Sequence, residues 1–197
     1  TELDEDTELD LSLYFLTVND PDNTFPGDFV SQGVSIYEGD NYTVNGQTII
    51  PDENYNGGLT VPVSVNDGTD ESAPFDLELS VTPVNDVPVI TTDAAAGATE
   101  EVAYELDIHF TDVEGTVEGN EFEVNIEGSA SGWLSVGSVT VVEQGSYSVS
   151  LSGTPDDADL NNNDLVVSVS DGDDTDIASY TISIDAVNDA PQIVDYV

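Results

Sequence analysis

Apolar side chains recur at every second position along most of this chain, and that period leaves few folds open. Val102, Tyr104, Leu106, Ile108 and Phe110 alternate with Ala103, Glu105, Asp107 and His109. Phe75, Leu77, Leu79 and Val81 alternate with Asp76, Glu78 and Ser80. The rows Val61-Val63-Val65, Phe122-Val124-Ile126, Tyr147-Val149-Leu151 and Tyr180-Ile182-Ile184 repeat the pattern. A strand turns successive side chains to opposite faces, so strict alternation buries one face and leaves the other wet, as in antiparallel sandwiches. No segment carries a helical period. Asn45-Gly46 reads as a two-residue hairpin turn, and Gly57-Gly58, Asp67-Gly68 and Asp171-Gly172 read as loops. Pro62 removes a ladder donor from its strand, which requires an edge position or a bulge there.

The order of segments occurs twice. Ser80–Ile90 reads "SVTPVNDVPVI" and Ser183–Ile193 reads "SIDAVNDAPQI". Each copy follows a "VSV.DG" stretch, Val63–Gly68 and Val167–Gly172, and each half opens on an acidic pair, Glu5-Asp6 and Glu100-Glu101. A length of 197 residues accommodates two domains of this kind. The expectation is an all-β chain of two tandem antiparallel β-sandwiches, immunoglobulin/cadherin-like Greek keys of about 100 residues each. Their expected bounds are 1–86, whose opening strand reads as truncated, and 87–189. Residues 190–197 read as the start of a next linker or domain, and the absence of methionine reads as the mark of a fragment.

Charge narrows the partners. Forty-two Asp and Glu stand against no Lys or Arg, a formal net charge of −42. Phosphate binding needs cationic side chains, so nucleic acid and anionic membranes are excluded as partners. No apolar run is long enough for membrane insertion. Without cysteine there are no disulfides or thiolate metal sites. Such a chain repels itself when compact, and cations are the missing partner.

Calcium fits the pattern of carboxylates. Ca²⁺ takes six to eight oxygens from carboxylates, carbonyls and water. Carboxylates on alternate residues of a bent loop can converge on one ion, which Asp20/Asp22 and Asp112/Glu114 offer. In a sandwich the loops bearing Asp112, Glu114 and Asp171 share one end. The opposite end of the first domain presents Glu5, Asp6, Asp52 and Glu53. Asn85 and Asp86 lie between the two sets, so the repeated Val-Asn-Asp-x-Pro reads as a linker whose angle calcium fixes. Asp20, Asp22 and Asp67 form an incomplete set at one end of the chain. Glu100, Glu101, Asp156, Asp157, Asp159, Asn188 and Asp189 form another, awaiting a following domain. Asp171, Asp173, Asp174 and Asp176 do not fit an EF-hand, because position twelve from Asp171 is Ile182.

The motifs "DEDTELDLS", "LTVNDPDNTFPG", "DENYNGGLTVPVSVNDG" and "VTPVNDVP" resemble bacterial cadherin-like tandem repeats. "WLSV", "LSGTP", "VSVSDG" and "AVNDAP" make the second half similar to the dystroglycan-type cadherin-like variety. That resemblance implies calcium between consecutive domains, neighbouring repeats in one long chain, and an extracellular or bacterial cell-surface location. It implies adhesion, or in the alternative a calcium-dependent carbohydrate-binding module that takes cell-surface glycans or polysaccharide. In this family pattern Glu114 replaces an expected aspartate.

Trp133 in "GWLSV" reads as a core plug, and His109 falls on the outward parity of its strand. Tyr14, Tyr42, Tyr55 and Tyr196 are the aromatics available for a sugar platform, though no strip groups them. Every acidic pair lies on an expected loop rather than in a cleft, and no nucleophile–histidine set or phosphate loop is present. On those grounds the sequence reads as that of a chain that is not an enzyme.

Overall fold

The computed structural model describes residues 2–12, 16–22, 24, 34–115, 119 and 121–191. Tyr14, Tyr196 and the stretch 192–197 lie outside these residues. Two compact units divide the chain, Thr1–Val84 and Asn85–Val197. Each is an immunoglobulin-like β-sandwich. The only helical turns among the described residues are 3₁₀ turns, Ser129–Gly132 and Asp157–Asp159, and no helix is long and apolar enough to cross a membrane.

The first unit contains β1 (Glu2–Asp4), β2 (Leu9–Asp10), β3 (Val34–Ile36), β4 (Tyr42–Asn45), β5 (Thr48–Pro51), β6 (Gly57–Val65) and β7 (Phe75–Thr82). They form sheets of order β1-β7-β6-β3 and β2-β5-β4. Leu11, Tyr42, Ile49, Leu59, Val61, Val63, Leu79 and Val81 are buried between the two. The second unit contains β8 (Val89–Ile90), β9 (Ala98–Thr99), β10 (Tyr104–Thr111), β11 (Glu123–Glu127), β12 (Leu134–Glu143), β13 (Ser146–Gly153), β14 (Asn161–Ser170) and β15 (Thr175–Asp185). Its sheets run β12-β13-β10-β8 and β11-β14-β15-β9. Ile108, Phe110, Tyr147, Val149, Leu151, Leu165, Val167, Val169 and Ile182 are fully buried there. Each such aliphatic side chain contributes about 1.5–3 kcal/mol of burial free energy. Phe110 stacks on Tyr147 at 5.3 Å, and Phe122 meets both rings.

Several local expectations give way. Among the described residues pairing is antiparallel except at two places: β1 runs parallel to β7, and β9 runs parallel to β15. The β4–β5 turn is centred one residue later than expected, because Asn45 pairs with Thr48 and leaves Gly46 and Gln47 as the loop. Gly46 takes the left-handed conformation there (φ 67°), which suits glycine. Gly57-Gly58 opens strand β6 rather than forming a loop. Val102 stands outside the β10 row and is exposed, as is Phe75 at the start of β7. His109 faces outward as expected. Trp133 is only partly buried, packed edge-on against Tyr104 at 5.6 Å.

Pro62 is neither on an edge strand nor at a bulge. It lies in β6, between β7 and β3, and its carbonyl accepts the Tyr37 N–H at 3.0 Å. The Tyr37 carbonyl would face the N–H that proline lacks. It accepts the Tyr42 hydroxyl instead, at 2.7 Å. A side chain thus supplies the donor missing from the ladder. Tyr42→Phe should therefore cost about 1 kcal/mol and lower the melting temperature of the first unit by roughly 4–8 °C. Thermal denaturation of the variant beside the native chain checks it, and an unchanged midpoint would refute this role for the hydroxyl.

Candidate metal centres

Burying a carboxylate normally requires a cationic neighbour, and this chain has no Lys or Arg to provide one. Three are nevertheless buried among the described residues: Glu5 and Glu100 are 1% exposed and Asp112 is 5% exposed. They stand at the ends of the sandwiches.

At one end of the second unit, β10 runs out at Thr111 above the Phe110–Tyr147–Phe122 aromatic floor, which delivers Asp112 into the interior. The Asp112 backbone N–H donates to the Gly145 carbonyl at 3.1 Å. The Asp86 N–H donates to Glu114 Oε2 at 2.9 Å. Asn85 Nδ2 donates to Asp171 Oδ2 at 3.0 Å and to Asp174 Oδ2 at 3.2 Å. Asp176 Oδ2 accepts the Ile90 N–H at 2.8 Å. Asn85, Asp86, Asp112, Glu114 and Asp171 therefore gather at one place, as expected, with Asp174 beside them. Asp112 Oδ2 and Glu114 Oε1 are buried and accept no hydrogen bond from the described residues. Burial, then the negative charges of Asp171 and Glu114, push the Asp112 carboxyl up to about 6. Burial also acts upward on Asp171, but N–H donors from Asp174, Asn85 and Asp173 outweigh it and hold that carboxyl low.

The other end of each sandwich carries one device twice. Strand β1 ends beside β7 with the Glu5 N–H on the Thr82 carbonyl at 3.0 Å, and β9 ends beside β15 with the Glu100 N–H on the Asp185 carbonyl at 3.1 Å. Glu5 Oε1 then accepts the Val84 N–H at 2.7 Å, and Glu100 Oε1 accepts the Val187 N–H. These are the two valines of the repeated Val-Asn-Asp. The residue after each glutamate, Asp6 or Glu101, is left-handed, with φ 57° and 61°. In the first unit Asn56 Nδ2 reaches Glu5 Oε2 at 3.4 Å and the Asn54 N–H reaches Asp6 Oδ1 at 3.3 Å. In the second, carboxylate oxygens of Glu100, Asp157 and Asp189 all lie within 4.8 Å of one another. Glu100 Oε2 is buried and accepts no hydrogen bond from the described residues. The Val187 N–H draws the Glu100 carboxyl down, but burial and the charges of Asp157 and Asp189 together leave it raised.

The remaining expected ligands are placed differently. Asp156 and Asp159 form a reciprocal capping box: Asp156 Oδ1 accepts the Ala158 N–H at 2.8 Å and Asp159 Oδ2 accepts the Asp156 N–H at 3.0 Å. Those two oxygens serve the turn that presents Asp157. The Asp52 carbonyl accepts the Tyr55 N–H at 3.0 Å, as the Asp156 carbonyl accepts the Asp159 N–H at 2.9 Å, and Glu53 is exposed beside it. Glu101 and Asn188 are exposed. Asp20 and Asp67 line one depression of about 200 Å³ together with Asp70 and Glu71, while Asp22 is exposed and donates its N–H to Asp20 Oδ1 at 2.9 Å. Asn54 and Asn56 were not expected near a site. The match of "PDENYN" with "PDDADL" sets them opposite Ala158 and Leu160, so the repeat carried no signal for them. Of the tyrosines available to a sugar platform, Tyr42 is a core residue at 3% exposure.

Hard oxygen donors without thiolate or imidazole suit calcium or magnesium, and buried carboxylate oxygens with no counter-charge in the chain fit a bound divalent cation.

No protein-family model and no curated protein matches the chain. Among solved structures it is similar to an endo-fucoidan hydrolase of glycoside hydrolase family 107, MfFcnA4, at 19% identity and TM-score 0.42, over 80% of this chain and 24% of that one. It is similar to titin Ig tandem domains at 10% identity and TM-score 0.37, over 78% of this chain and 82% of that one. It is also similar to the Dpr2 Ig1-Ig2 complex with DIP-Theta Ig1-Ig3 at 9% identity and TM-score 0.41, over 72% and 45%. The chain spans about a quarter of the length of the hydrolases it matches. At these identities the likeness is one of fold. The reading that the chain is not an enzyme is corrected by these matches, since solved chains similar to it include glycoside hydrolases.

The raised Asp112 carboxyl has a signed consequence. Its ordinary value is 3.8 and its folded value about 6, so the folded chain holds that proton more tightly than the unfolded chain. Losing the proton then costs stability. The metal-free second unit should become less stable as pH rises from about 4 to about 6, and Asp112→Asn should flatten that dependence. Thermal melts in chelator across this range test it; equal slopes for the two proteins would refute it.

Proposed function

We propose that this chain is a pair of calcium-binding, calcium-rigidified repeats from a larger extracellular protein. They would act as an extender or adhesion segment that holds binding domains away from a bacterial surface, as in biofilm adhesins. The single observation that carries this reading is the burial of Glu5, Glu100 and Asp112 in a chain devoid of Lys and Arg. Only protonation or an external cation can neutralise such groups, and near neutral pH the cation is the effective choice. The repetition of the glutamate–valine device at Glu5/Val84 and Glu100/Val187 supports a module built to be repeated. The cadherin-like motifs, with the dystroglycan-type variety in the second half, supply the finer reading. In it, Glu5 with Glu53, Glu100 with Asp157 and Asp189, and Asp112 with Glu114 and Asp171 hold the ions.

Extracellular calcium modules bind at about 10⁻⁴ to 10⁻³ M. Calcium at about 10 mM would then stabilise the fold by roughly 1.4–2.7 kcal/mol per site. That is a large share of the marginal stability of a small domain. Calcium should therefore raise the melting temperature by several degrees over chelator and lengthen the particle in small-angle scattering. In calorimetric titration Glu100→Gln and Asp112→Asn should each remove part of the calcium heat while circular dichroism stays native. Identical melting curves in calcium and chelator, with no titration heat, would rule the reading out.

A further inference from the structure

Strand β12 lies at the edge of its sheet and departs from the rest of the chain in charge. Acidic residues make up 42 of 197 positions, yet none occurs from Gly128 to Val142, the longest acid-free run in the sequence. This run carries all of β12 except its last residue, Glu143. Among the described residues β12 pairs only with β13, so one side of its backbone has no ladder. The other edge strands are protected in the ordinary ways. Strands β2, β8 and β9 have two residues each, β1 and β3 have three and β4 has four, while β11 carries Glu123 and Glu127. With ten residues β12 is far longer, and Val136 and Val142 are 37% and 61% exposed along it. Its bulges fall between Val136 and Val139 and between Val141 and Glu143, leaving Val139–Val141 regular around Thr140.

We propose that β12 pairs edge to edge with β12 of a second copy of this chain, antiparallel about a twofold axis at Thr140. Charge selects the occupant. Two copies at −42 repel wherever their acidic surfaces meet. At physiological ionic strength the screening length is about 8 Å, so contact is tolerable where carboxylates are absent. A twofold contact sets the same patch against itself, which matches this long acid-free edge to its own copy. A cationic partner would be drawn to the acidic surface and find nothing to hold at β12. An antiparallel ladder between identical strands uses the free N–H and C=O groups of both copies. With the axis at Thr140, Glu143 faces Gly137 of the other copy rather than its own equivalent. This inference does not involve the proposed calcium ligands.

Sedimentation equilibrium of the full chain tests it, in calcium at low and high sodium chloride. The expected result is an apparent mass that climbs with concentration toward twice that of the chain, more readily at high salt, where repulsion is screened. Thr140→Glu sets two carboxylates against each other at the axis and should weaken association about tenfold or more, whereas Thr140→Gln should leave it intact. Circular dichroism checks the fold of each variant. If Thr140→Glu does not fold, Val142→Glu on the exposed edge takes its place. A native chain that stays monomeric in both salts would overturn the proposal, as would a dimer indifferent to the acidic substitution.

Discussion

A buried carboxylate needs hydrogen-bond donors or a cation to hold its charge, and this chain has no Lys or Arg to supply either. That constraint organises both sandwiches. Packing of alternating apolar rows builds two ordinary cores, and backbone N–H groups take up part of the charge at their ends: Val84 for Glu5, Val187 for Glu100. Asp173 and Asp174 do the same for Asp171, which is held low, whereas Asp112 rises toward neutrality because burial and two carboxylates surround it. The difference between neighbouring acids is thus one of donor supply.

Much of this was legible in the residues. The period of two placed β10, β13 and β15, because rows such as Leu106-Ile108-Phe110 admit one buried face only. The gathering of Asn85, Asp86, Asp112, Glu114 and Asp171 was also legible, since loops at one end of a sandwich must meet. Strands β1 and β9 were not. With three and two residues they are too short to show a period, and their parallel pairing with the last strand depends on chain return rather than local preference. The burial of Glu5 and Glu100 was hidden for the same reason, because an acidic pair reads as a solvated turn until the neighbouring strand is known.

Some residues of the right chemistry turned out to serve geometry. Asp156 and Asp159 bond each other's backbone, so two of the three carboxylates of the turn shape it and leave Asp157 to face Glu100 and Asp189. Counting acids in "PDDAD" could not divide them between these tasks, since capping and ligation favour the same side chain. Pro62 teaches a similar lesson: a defect in the ladder is offset by a hydroxyl from another sheet, which no strand pattern records.

The parallel pairing of first and last strands carries a mechanical consequence. Where β1 runs beside β7, and β9 beside β15, tension drawn along the chain pulls one strand backward and its neighbour forward. The rungs between them are then strained together, sideways, instead of being peeled singly like a zip. A sandwich closed in this way resists being drawn open from its ends, a useful property for any segment that must transmit a pull.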